Sequence, residues 1–175
     1  MDIVIFDRWL HIVAGVMWVG LLYYFNFVQV PALGQAAAEA NAGGPGGAAI
    51  TKYVAPRALF WFRYSALVTW LTGAYYLHAS PYTLDGAFTL GLRLETPSLV
   101  VTSIGMGAWL GTIMLLNVWG LIWPNQKKIL GIVPATDEQK VRARRVAFLA
   151  SRTNVALSIP MLMFMQSGHG LPFFG

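Results

Sequence analysis

The chain contains no cysteine, so disulfides, thiolate metal sites, iron–sulfur clusters and C-x-x-C-H attachment of c-type haem are all excluded. Charge is also scarce. Only 11% of its 175 residues are Asp, Glu, Lys or Arg, less than half of the roughly 25% usual in soluble domains. Acids are rarer than bases, 7 against 12, for a formal net charge of +5. No acid falls inside the long apolar runs, which removes the usual mark of an ion pump. The pattern holds no P-loop, no zinc-ligand spacing and no nucleophile–base constellation. A cleavable signal peptide is not expected: the first apolar run is too long for one, and Asp2 and Asp7 spoil a basic leader.

What the chain does have is apolar length. Hydrophobic residues make up 57% of it. Four segments reach the roughly 20 residues that a spanning helix needs, at about 9–30, 58–77, 98–123 and 147–165. Each is apolar on nearly all sides, unlike an amphipathic soluble helix. Pro31, Ser80-Pro81, Pro124-Asn125 and Ser167-Gly168 read as their stops. The expectation is an all-α integral membrane protein, a four-helix transmembrane bundle forming a single domain, with no clear internal repeat. Residues 34–50, within "GQAAAEANAGGPGGAAITKY", read as a flexible Gly/Ala linker. Residues 82–97 fit either a short hairpin or an interfacial segment. In "ATDEQKVRARR", Thr136 reads as a helix cap followed by acids and then bases, so the last helix is expected to begin near Asp137, outside the bilayer.

Four spans place both termini on one side. The opposite side collects Lys52, Arg57, Lys127, Lys128, Lys140, Arg142, Arg144 and Arg145, whereas the terminal side has Arg8 and Arg93. Lysine and arginine accumulate on the cytoplasmic side, so both termini are expected in the periplasm of a bacterial inner membrane. The basic residues lie at the ends of apolar runs, which makes the lipid bilayer, not nucleic acid, their expected partner.

All three histidines then share the periplasmic side. His11 lies just inside the first span, His78 ends the second and His169 follows the fourth. Imidazole ligates haem iron, and histidines on facing helices hold b-type haem without cysteine. An ordinary reading stands beside this: His78 and His169 can simply be wet, and His11 can be neutral and hydrogen-bonded to a neighbouring helix. An ionisable group within a span is a functional candidate by default, so His11 leads as haem-iron ligand, with His169 or His78 second. Arg63 and Arg152 lie inside spans without an acidic partner. They read as snorkelling to lipid phosphate or as a shared anion site. Gly107 and Gly111 form a small-xxx-small packing face, and Asn154 in "ASRTN" can hydrogen-bond across helices. Met161, Met163 and Met165 read as gap-filling or lipid contacts. Pro160 is expected to kink the last helix.

Three stretches, "WLHIVAGVMWVGLLYYFNFVQ", "GMGAWLGTIMLLNVWGLIWPNQKKIL" and "ASRTNVALSIPMLMFMQSGH", resemble the N-terminal membrane domain of the PuuD-type bacterial urate hydroxylases. The opening "LH..AG..W.G" is also similar to copper-resistance membrane proteins and to the haem-containing bacterial protoporphyrinogen oxidase, which implies a haem-ligand role for His11. The urate hydroxylase resemblance implies a polytopic inner-membrane protein tied to electron transfer through a periplasmic cytochrome c. With about four spans and no cytochrome after "GLPFFG", the expected role is a redox subunit that binds haem b and associates with other membrane subunits. A cofactor-free structural subunit and a urate-hydroxylase-like enzyme are the alternatives.

Overall fold

The computed structural model describes residues 3–96 and 98–166, so His169 and the Ser167-Gly168 stop lie outside the described residues. Within them the chain is helical, without strands. Helix α1 (Ile3–Tyr23) runs through a π-helical turn (Tyr24–Gln29) into α2 (Val30–Ala40). After a glycine-rich turn, a second π-helical turn (Ile50–Val54) leads into α3 (Ala55–Ala79). The short α4 (Leu84–Phe88) precedes α5 (Leu99–Leu116), which passes through a third π-helical turn (Asn117–Ile122) into α6 (Trp123–Ile129). Helix α7 (Asp137–Met165) closes the described fold.

The stops expected at Pro31 and Pro124 do not occur; the helices run on to Ala40 and Ile129. The cause lies just upstream. Proline has no N–H, and its ring presses on the carbonyl four residues back. Each of the three prolines, Pro31, Pro56 and Pro124, is the second residue after a π-helical turn. The wider turn shifts the hydrogen-bond register where a regular helix would clash. Much of the expected linker is therefore helical, with the true break at residues 41–47. Thr136 caps α7 as expected, its side chain and that of Gln139 forming a reciprocal capping box.

The long helices pack as two antiparallel hairpins. In the first, His11 of α1 meets Thr69 of α3, and Phe25 beyond the end of α1 meets Phe62, with ring centroids 5.4 Å apart. In the second, Asn117 and Met114 meet Asn154 of α7, and Gly107 meets Met165. The hairpins join through a core of Trp18, Leu22, Phe62, Met114, Val118 and Met161. With the hairpins side by side, a repeat becomes legible that linear reading misses. Trp18-Val19-Gly20 precedes Asn26 as Trp109-Leu110-Gly111 precedes Asn117. Both asparagines lie in π-helical turns, and both donate to α7, at Ser151 Oγ and Asn154 Oδ1.

The outer surface is apolar, with Phe27 and Leu116 each 64% exposed. Such a surface suits lipid, not water. Three helical rods, Ile3–Ala40, Leu99–Ile129 and Asp137–Met165, are long and apolar enough to cross a membrane. Helix α3 has the length, 25 residues, but carries Arg57 and Arg63 and is more polar.

Of the expected packing residues, Gly107 and Asn154 take that role. A side chain on Gly107 would meet Met165 at 3.1 Å, whereas nothing lies within 4 Å of one on Gly111. The tightest approach is at Gly105, where a Cβ would collide with the Ala87 carbonyl of α4. Asn154 is fully buried; it accepts from Asn117 at 2.9 Å and donates to the Met114 carbonyl at 3.0 Å. Asn154→Leu is expected to lower stability by about 1–2 kcal/mol, because it removes both bonds and strands buried partners. Unfolding in mild detergent measures this. Asn125→Leu, which removes only a bond to its own helix at Leu121, should be nearly neutral.

Candidate functional site

At the end where α1 begins and α3 ends, the hairpins part around a cavity of about 820 Å³. Its walls are mainly apolar or small: Val16, Val19, Gly15, Gly20, Ile104, Ala108 and Gly111. Arg8, His11, Thr69, Tyr76, Tyr82 and Gln166 are among its polar lining residues. The 82–96 segment is neither a hairpin nor detached. It forms α4 and tight turns, packs on the start of α5 with Ala87 fully buried, and contributes Tyr82 and Phe88 to the cavity. Thr102 Oγ1 donates to the Leu90 carbonyl and Trp109 Nε1 to that of Phe88, holding the segment in place.

His11 lies in this wall, half-buried. Its Nδ1 is 2.8 Å from the Thr69 carbonyl oxygen. A carbonyl can only accept, so Nδ1 carries a proton, and in the neutral ring Nε2 keeps its lone pair. Thr72 Oγ1 stands 3.4 Å from the same Nδ1 while donating to the Val68 carbonyl at 2.7 Å. The ring fits because residue 73 is glycine: a Cβ there would come within 2.8 Å of His11 Cε1. One turn earlier on α1, Asp7 is buried, and its Oδ2 has no hydrogen-bond partner. Reading the first span from residue 9 left this acid outside it. The helix begins at Ile3 and takes Asp7 in. The Asp-x-x-x-His spacing, which puts both side chains on one helical face, is the signal that could have found it.

The other candidates scatter. His78 is exposed and does not line the cavity. Arg63 stacks on Trp123, 3.8 Å from its ring centroid, whereas Arg152 is exposed over Phe148 of its own helix at 4.8 Å. The two arginines thus take separate aromatic partners. Met161 and Met165 share an inward face and both line the cavity, while Met163 is 42% exposed. Gly111 also belongs to the cavity wall.

The cavity is mostly apolar and carries one imidazole in its wall. Metal-binding histidines commonly anchor one ring nitrogen on a carbonyl and offer the other, as His11 does. Among the described residues no three His, Asp or Glu side chains converge to hold a bare metal ion. A macrocycle that brings its own equatorial donors needs no such cluster.

Gly73→Ala is expected to push the His11 ring off Thr69 and to destabilise the protein by about 1–3 kcal/mol, as overpacking does. In a His11→Ala background the same change should cost far less. A double-mutant cycle of melting temperatures in detergent reads the difference.

A family model described as urate oxidase N-terminal matches residues 2–93 and 97–174. No curated protein and no solved structure matches the chain.

Proposed function

The chain belongs to the urate oxidase N-terminal family, and from that premise we propose that it is a membrane-embedded redox subunit whose interhelical cavity holds one b-type haem. The observation that carries this reading is His11, anchored through Nδ1 on Thr69, a bond that leaves Nε2 unclaimed, in the wall of a mostly apolar cavity of about 820 Å³. His11 would hold the haem iron, and Arg8, which lines the same cavity, would bind the haem's carboxylates. The haem, when bound, supplies one-electron transfer. The protein's own part is to fix the imidazole tautomer, keep water from the ring and set the polarity around it.

The same reading makes the protein a four-span bundle in the bacterial inner membrane. Helix α3 lies antiparallel along α1 at the same depth, from Thr69 beside His11 to Phe62 beside Phe25. Neighbours so paired cross together, which favours an even number of spans. The basic loops then face the cytoplasm and the cavity faces the periplasm, where a cytochrome c would exchange electrons with it.

Purified protein is expected to show a b-type reduced-minus-oxidised difference spectrum that His11→Ala abolishes while the variant still elutes as a folded species. A colourless wild type would end the haem assignment. Family membership favours a second occupant for the same cavity, a urate-like purine; colourless protein that binds urate in calorimetry would support that reading instead. The cysteine-free chain also suits single-cysteine labelling. Ala42→Cys and Ala135→Cys should react only from the cytoplasmic side and Thr89→Cys only from the periplasmic side. Labelling of Ala42→Cys and Thr89→Cys from the same side would overturn the four-span topology.

A further inference from the structure

Two cations converge on one indole at the end of the molecule opposite the cavity. The Arg63 guanidinium lies 3.8 Å from the Trp123 ring centroid, and Lys127 Nζ lies 5.9 Å from the same centroid. Phe60 and Tyr64 add further faces to Arg63 at 5.5 and 5.1 Å. These rings fix the guanidinium plane, but a ring face accepts none of the in-plane N–H bonds of arginine.

No acid answers the pair. Among the described residues, Asp85 bonds Arg93 and Asp137 bonds Lys140, and no carboxylate lies within salt-bridge distance of Arg63 or Lys127. The nearest other charges along the two helices are of the same sign: Arg57 on α3 and Lys128 on α6. Two like charges held on one ring repel, and an anion between them relieves that repulsion. The surroundings say what kind. Phe60 is 44%, Trp61 55% and Tyr64 41% exposed, so the donors sit beside an outward apolar wall at the end of a rod apolar enough to cross a membrane. That is the level of a phospholipid headgroup, with its acyl chains along the wall.

We propose that Arg63, Trp123 and Lys127 form a binding site for the phosphodiester headgroup of an anionic membrane phospholipid. Arg63 donates in-plane N–H bonds to the phosphate oxygens, Lys127 adds a point charge, and Trp123 holds both cations in register. The site replaces the shared Arg63–Arg152 site expected from the sequence, because Arg152 stacks on Phe148 instead. It rests on the membrane placement of the helices, which cysteine labelling tests separately.

The test is native mass spectrometry of the full chain released from nanodiscs of phosphatidylglycerol and phosphatidylcholine in equal amounts. Wild type should retain phosphatidylglycerol over phosphatidylcholine. Arg63→Gln should lower that preference about tenfold and Lys127→Gln about threefold, in line with lost charge-assisted bonds. Arg144→Gln, a change of equal charge elsewhere on the same side, should leave it unaltered. Trp123→Phe, which keeps both cations and a ring, should retain most of it. Equal loss in Arg144→Gln would reduce the effect to net charge and overturn the site. So would undiminished preference in the Arg63→Gln/Lys127→Gln double variant. Displacement of the lipid by millimolar inorganic phosphate would show a free-anion site and overturn the lipid assignment.

Discussion

Asn154 has no exposed surface, yet it is a polar side chain between two long apolar helices. Everything else in the fold depends on how helix α7 meets such demands. Where lipid replaces water, apolar side chains gain little by turning inward, so packing and interhelical hydrogen bonds must select one arrangement. Helix α7 carries that selection. Asn154 ties it to α5 through Asn117 and Met114; Ser151 and Ser158 tie it to the first hairpin through Asn26 and Tyr23. The bonds cluster in the part of the bundle nearer the π-helical turns, and that part closes.

The other part stays open. Toward the periplasmic end of the proposed topology, glycines and methionines replace bulky or polar contacts between the hairpins, and the cavity results. His11 sits on its wall because α3 offers a carbonyl and a missing side chain at the same height. Thr69 accepts the ring N–H, and Gly73 leaves room for the ring. A carbonyl has two lone pairs, so Thr69 can serve His11 without giving up its helical partner. The tautomer is thereby decided by backbone geometry alone, and the nitrogen suited to a ligand is the one left over.

Much of this was legible in the residues. The apolar runs, the capped start of α7 and the interhelical bonding of Asn154 all follow from local chemistry, which carries over unchanged into the fold. The errors share a cause. Proline was read as a stop, because a regular helix cannot accommodate it; the π-helical turns that let the helix continue depend on packing as well as on local sequence. Asp7 was left outside the first span, because a hydropathy run starts where polarity ends, not where hydrogen bonding begins. The repeat went unseen because its matching residues are few and spread over π-helical turns, and their common acceptor, α7, is distant in sequence.

The sequence by itself determined that this is a helical chain with membrane-spanning rods, basic at one end and bearing an unusual imidazole at the other. Composition and apolar length suffice for that, since lipid demands internally satisfied backbone from any segment that enters it. Only the tertiary structure decided which polar groups meet. It separated Arg63 from Arg152, exposed His78, brought Met161 and Met165 to the cavity and set Gly73 against His11. Those outcomes turn on the relative rotation and height of helices, which side-chain bonds between distant residues select and which no single helix encodes.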